Sequence, residues 1–170
     1  MSLPARMLGT GEAAKAEWTG RLLVALQFGL LALMGWRAWI SPAALDILSG
    51  TPLAGSAGLA LWALAANRPG NFNIRPTPRP GGVLVTSGPY QWVRHPMYTS
   101  VLMAAAAAAV KSQQMADAGL WPALLTVLLA KAGIEERALM VRFPDYQDYQ
   151  SRTSKLLPWR VRPYSRSSSR

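Results

Sequence analysis

Two short runs carry the side chains best suited to chemistry. The first is Arg94-His95-Pro96-Met97-Tyr98, which places the chain's only histidine beside an arginine. The second runs from Lys131 to Glu136, where Glu135 and Glu136 follow directly on an apolar stretch. Arginine or histidine can meet an anion through charge-assisted hydrogen bonds. Imidazole and carboxylate can move protons, and a tyrosine face beside a carboxylate can hold a cation. Each run also has a plainer reading. Arg94 would anchor a lipid headgroup, His95 would cap an interfacial turn, and Tyr90, Trp92 and Tyr98 would form an aromatic belt. Lys131 and Glu135 would be an intrahelical pair contributing about 0.3 kcal/mol, in the weaker Lys-before-Glu order. Composition alone favours the plainer reading of the first run. The absence of cysteine excludes disulfides, thiolate metal sites and cysteine nucleophiles, and no metal site is expected.

The elements that must position these groups are apolar blocks. The chain has 170 residues, 51% hydrophobic and only 15% charged, with the apolar residues gathered into almost uncharged stretches. That pattern points to lipid rather than to a soluble core. Residues 21–40 form one block, long enough for a bilayer-spanning helix and too late in the chain for a signal sequence. A second, at 52–67, is rich in small residues, with Ala54 and Gly58 in small-xxx-small spacing. A third, at 97–110, holds the alanine run 104–109 and is short for a span; a fourth covers 118–134. The last two predict a tight helical hairpin brought close by the alanine face. The fourth helix should continue through Met140 and end at Phe143-Pro144, since stopping at Glu135 would set acidic groups on a helix C-terminus. Tyr146, Tyr149, Leu156, Leu157 and Trp159 predict a segment folded back along the interface.

Charge sets the expected orientation. Arg6, Lys15 and Arg21 precede the first helix, and Arg68, Arg75, Arg79 and Arg94 lie between the second and third. Nine further basic residues run from Lys131 to the C-terminus, whereas the two opposite turns hold only Arg37 and Lys111. The positive-inside rule puts both termini and the central loop in the cytoplasm. The net charge of +10 is therefore an orientation signal, and nucleic acid is not expected as a partner. With no inverted repeat and no charge in the middle of a helix, a transporter has little support.

The fold class expected is all-α: a polytopic membrane bundle of about four transmembrane helices, including a C-terminal hairpin and a cytoplasmic loop. It reads as a single domain over 1–170. Residues 18–67 supply the N-terminal helices, 68–160 the loop, hairpin and C-terminal segment, and 161–170 a disordered tail. The loop is too long and patterned for a plain connector. Pro69, Pro76, Pro78 and Pro80 disfavour helix, Val83–Val85 reads as a short extended run, and Ser87-Gly88-Pro89 reads as a turn. Pro96 suits the first turn of the third helix.

The order VLVTSGPYQWVRHPMY, hairpin, EERALMVRFPDYQDYQ, then LLP resembles the isoprenylcysteine carboxyl methyltransferase family, related to phospholipid methyltransferases. The resemblance covers about residues 68–160. It implies a methyltransferase using S-adenosyl-L-methionine in a loop-and-helix pocket, in keeping with the lack of a glycine-rich nucleotide fingerprint. By resemblance, Gly82, Val83, Leu84, Val85, Tyr90, His95, Pro96, Met97, Tyr98 and Glu135 would bind the cofactor. Arg94, Glu135 and Glu136 would be catalytic, and Lys131 would bind substrate. Lys131 stands where family members place an arginine, and Pro144 where eukaryotic members have glycine; both departures bear on the acceptor. Glu135 would pair with the cofactor's ammonium group, and Arg94 or His95 with its carboxylate. A carboxylate acceptor needs no general base, whereas an amine or thiol would need one, with Glu136 and His95 as candidates. The expected partners are the lipid bilayer and a lipophilic methyl acceptor, and the expected location is the bacterial inner membrane. The alternatives are N- or S-methylation of a phospholipid or small molecule, and a non-catalytic membrane scaffold.

Overall fold

The computed structural model describes residues 10–67 and 83–158. Five α-helices follow in order: α1 Thr10–Ile40, α2 Ile47–Ala66, α3 Pro96–Ser112, α4 Asp117–Arg142 and α5 Tyr146–Arg152, with a 3₁₀ turn at Gly88–Gln91 between α2 and α3. Among the described residues there is no regular strand; a single parallel bridge joins Val93 to Ser154. Three stretches, Glu17–Ile40, Ile47–Ala66 and Asp117–Arg142, are long and apolar enough to cross a bilayer. The chain is an all-helical membrane bundle. α3 has 17 residues, a rise of about 25 Å against a hydrocarbon core of about 30 Å.

The helix ends follow from local chemistry. α1 stops at Ile40 because Ser41 precedes a proline and is pushed out of the helical region. α2 begins at Ile47, five residues before the apolar block at Pro52 suggested, because Asp46 caps it. The Asp46 carboxylate accepts from the Ser49 amide at 2.9 Å, and the Ser49 hydroxyl accepts from the Asp46 amide at 3.2 Å, a reciprocal capping box. Pro96 occupies the first turn of α3, and Gln113 closes that helix in the left-handed conformation. α4 runs through Met140 as expected, and extended Phe143 closes it before Pro144.

Packing corrects the small-residue reading. The buried face of α2 is Ser49, Ser56 and Ala63, whereas Ala54 and Gly58 are exposed. Ser56 donates to the Ser100 carbonyl of α3 at 2.7 Å, and Gly55 lies under Met103. α3 packs most extensively against α2, not against its hairpin partner α4. Its alanines still serve both neighbours: Ala105 lies in a core with Leu102, Met34 of α1, Leu124 and Leu128 of α4, and Leu156. Large apolar side chains such as Leu22, Phe28, Trp36, Leu48 and Leu61 point outward, as a lipid-facing surface requires.

The two ends of the bundle differ. At one, Arg37 pairs with buried Asp117 at 3.0 Å, Lys111 donates to the Ala38 carbonyl at 2.6 Å, and Ser112 hydrogen-bonds Asp117. Arg37 and Lys111 therefore share one end of the bundle, and the end of α4 lies at the other. There the 3₁₀ turn returns to the C-terminus of α2. Gly88, at φ +59°, sits so close that an added Cβ would lie 2.7 Å from the Ala66 Cβ. Gly88→Ala should therefore cost about 1–2 kcal/mol of stability in detergent-solubilised protein, from left-handed strain plus backbone displacement. A denaturation midpoint unchanged from wild type would contradict this.

Candidate functional site

The end of the bundle opposite Arg37 and Lys111 is organised by two adjacent carboxylates near the end of α4. The Glu136 side chain is only 5% exposed. Its Oε1 accepts from Arg94 Nε at 2.7 Å and contacts His95 Nε2 at 3.2 Å. Its Oε2 meets Lys155 Nζ at 3.1 Å and accepts from Gln150 Nε2 at 3.2 Å. Four partners occupy two oxygens, which fills the usual lone-pair capacity of a carboxylate. Glu135 has two contacts, both on Oε2: Tyr98 Oη donates at 3.0 Å and His95 Nδ1 lies at 3.4 Å. Its side chain is 21% exposed.

His95 therefore bridges both carboxylates, one through each ring nitrogen. Burial pulls the imidazole pKa down, but the hydrogen bonds to Glu135 and Glu136 outweigh it and leave the histidine raised above its ordinary value. When protonated, the imidazole donates from both ring nitrogens. The ring stacks on Tyr98, with centroids 5.3 Å apart and planes within 6°. Burial first, then the charge of Glu135, pushes the Tyr90 phenol up to about 12.

Local backbone explains why these groups converge. Residues 92–95 run beside 154–155: Ser154 N donates to the Trp92 carbonyl at 3.1 Å, Arg94 N to Ser154 O at 2.9 Å and His95 N to Lys155 O at 3.2 Å. Arg94 also donates to the Gln150 carbonyl at 2.9 Å and to the Thr153 carbonyl. Thr99 Oγ1 donates to the Leu156 carbonyl at 2.7 Å. The C-terminal segment is thus a strap laid across the start of α3. α5 anchors it through buried Tyr146 and Tyr149, which pack with Leu84, Leu139 and Phe143. The Tyr149 hydroxyl donates to the Tyr90 carbonyl at 2.7 Å.

Of the residues singled out in the sequence, Arg94, His95, Tyr98, Glu135 and Glu136 form one contact network. Pro96 is buried beneath it and Met97 is half-buried. Leu84 and Tyr90 join through the α5 tyrosines. Val83 and Val85 are described without regular secondary structure. Gly82, the rest of the proline-rich loop, Trp159 and the 161–170 tail lie outside the described residues. Lys131 is 1% exposed, donates to Gln27 Oε1 of α1, and sits 5.3 Å from the Tyr98 ring centroid. It does not close the expected ion pair with Glu135. Because α4 runs from Asp117 to Arg142, Lys131 is a charge in the middle of a helix, contrary to the sequence expectation.

Gln27, Gln150 and Lys155 were not legible as site residues. Gln27 was visible as the one polar side chain within 22–35, while Lys155 was absorbed into the basic C-terminal excess.

One buried and one half-open carboxylate, a bridging imidazole and a stacked tyrosine at one end of an apolar helical bundle define a membrane protein with a polar site at its rim. Residues 53–141, just over half of the chain, match the isoprenylcysteine carboxyl methyltransferase (ICMT) family, and the chain belongs to it. It is accordingly a membrane methyltransferase of that family. No curated relative and no solved structure matches it.

Two outcomes follow from the network. Arg94→Leu should destabilise the protein by about 3 kcal/mol, because it leaves a buried carboxylate short of its closest cation. It should also raise amide exchange across residues 150–156, which Arg94 ties down. The second concerns pH. With His95 raised in the folded state, its contribution is fully present below the unfolded value of about 6.5 and is lost as pH rises through the folded value. The wild-type thermal midpoint should fall across that window, and His95→Gln should flatten the profile. A flat wild-type profile would contradict the bridging role.

Proposed function

We propose that the chain is an S-adenosyl-L-methionine-dependent methyltransferase that O-methylates the carboxyl group of a lipophilic, isoprenylcysteine-like acceptor. The observation that carries this reading is the contrast between the two carboxylates. Glu136 is saturated, whereas Glu135 keeps Oε1 clear of both its contacts, is partly exposed, and stands beside a tyrosine face. A half-open carboxylate suits a ligand carrying an ammonium group.

When bound, the donor supplies a methyl carbon on sulfonium, which an acceptor oxygen attacks in line while the carbon–sulfur electron pair returns to sulfur. The chain's own residues have the remaining tasks. Glu135 and Tyr98 would orient the donor, with Val83, Leu84, Val85, Tyr90, Pro96 and Met97 as its surroundings. Arg94 and Glu136 act as positioning residues, since both are spent on each other and on the strap. The helices exclude water from the reacting atoms.

Proton chemistry favours a carboxylate acceptor over an amine or thiol. The Glu136 oxygens are occupied by four partners, and both His95 ring nitrogens face carboxylates. An acceptor that must first be deprotonated would need a base, whereas an ionised carboxylate needs none. Phospholipid amine methylation is therefore the less favoured alternative. The basic excess at the termini and central loop supports a cytoplasmic site, with the bacterial inner membrane as the location.

Calorimetry on detergent-purified protein tests the reading. S-adenosylhomocysteine should bind, and Glu135→Gln or Glu135→Ala should each weaken it about tenfold with little change in thermal midpoint. Absence of binding at millimolar ligand, or unchanged affinity in both variants, would overturn it.

A further inference from the structure

The Lys131–Gln27 pair is the feature that the donor site leaves unexplained. Lys131 is 1% and Gln27 7% exposed, and they meet between α4 and α1 inside the helical bundle. Among the described residues no carboxylate lies within 4.0 Å of the Lys131 ammonium. Its contacts are one neutral amide oxygen and one ring face.

As a purely structural staple this arrangement is poor. One interhelical hydrogen bond contributes far less than desolvating an ammonium costs, and two apolar side chains would join the helices more cheaply. Glu135 acts on this ammonium only through space, and a cation at membrane depth with no anion in contact points to an anion that arrives. Its position agrees: Lys131 is one helical turn before Glu135 and shares Tyr98 with it. The apolar body of a lipophilic acceptor would then lie along the bundle, with its carboxylate at Lys131.

Gln27 lies on α1, outside the matched stretch 53–141. Its carboxamide is a neutral stand-in for a carboxylate. It presents an oxygen to the ammonium, and it carries an NH₂ that can donate to a second carboxylate oxygen. We infer that Gln27 is a specificity-determining residue for an anionic lipophilic acceptor. It holds Lys131 in place when the acceptor is absent, yields that position to the acceptor's carboxylate, and then donates to it. An acceptor with a cationic or neutral headgroup cannot displace it. The inference rests on the methyltransferase reading for the use made of the acceptor, and its binding test is independent of turnover.

The probes are an S-prenylated N-acetylcysteine and its carboxamide, titrated into the full chain in detergent without a methyl donor and followed by tryptophan fluorescence. Wild type should bind the carboxylate about tenfold more tightly than the carboxamide, as a charge-assisted contact requires. Gln27→Glu places a permanent anion against Lys131 and should abolish that preference while leaving the thermal midpoint equal or higher. Gln27→Asn, which keeps the amide, should retain part of the preference. Equal binding of the two probes by wild type, or a preference that survives in Gln27→Glu, would overturn the inference. In the same preparations S-adenosylhomocysteine should bind wild type and Gln27→Glu equally. Carboxylate preference without S-adenosylhomocysteine binding would uphold the Gln27 role and reject the methyl-transfer reading. A parallel loss of both ligands in Gln27→Glu would mark a structural role and overturn the specificity assignment.

Discussion

Burying a carboxylate is unfavourable unless its oxygens are fully matched, and Glu136 is the place where this chain meets that demand. Arg94, His95, Lys155 and Gln150 are drawn from the loop before α3, from α5 and from the strap beyond it. The carboxylate gives them a common point of attachment, and the paired backbones of 92–95 and 154–155 fix their register. A buried ion pair is weak evidence for net stability, since desolvation offsets much of the attraction. Its effect here is specificity of arrangement: removing any partner leaves a charge stranded, so alternative placements of the strap are disfavoured.

That constraint separates two neighbouring glutamates that the sequence presents as equivalent. Helical geometry points Glu135 and Glu136 about 100° apart. One turns into the network and is consumed by it. The other keeps an oxygen toward the rim. Positioning and ligand binding are thereby divided between adjacent residues, and His95 couples the two. The opposite end of the bundle follows the same economy, with buried Asp117 held by Arg37 and Ser112 to close the hairpin.

The helices were largely legible from the sequence because bilayer physics writes directly into composition. Apolar blocks located four helices, Phe143-Pro144 ended α4, and Pro96 opened α3. Where the reading slipped, the cause was an interaction that hydropathy does not register. The Asp46–Ser49 box extends α2 beyond its apolar block. Small residues occur on every face of α2, and only the partner helix decides that Ser49, Ser56 and Ala63 are the inner ones. The Lys131–Glu135 spacing was real, but a bond to Gln27, 104 positions away, prevailed over the local pair.

The sequence by itself determined that the chain lives in a bilayer, where most of its helices begin and end, though not that α1 starts as early as Thr10, and which short motifs carry ionisable groups. These are local or compositional properties, set by hydrocarbon thickness, proline and capping. Only tertiary structure decided that Arg94-His95 and Glu135-Glu136 form one network, and that Lys155 and Gln150 complete it. It also placed Lys131 against α1 rather than along α4. Those outcomes depend on which lone pairs remain unfilled once helices pack, and that count exists only in three dimensions.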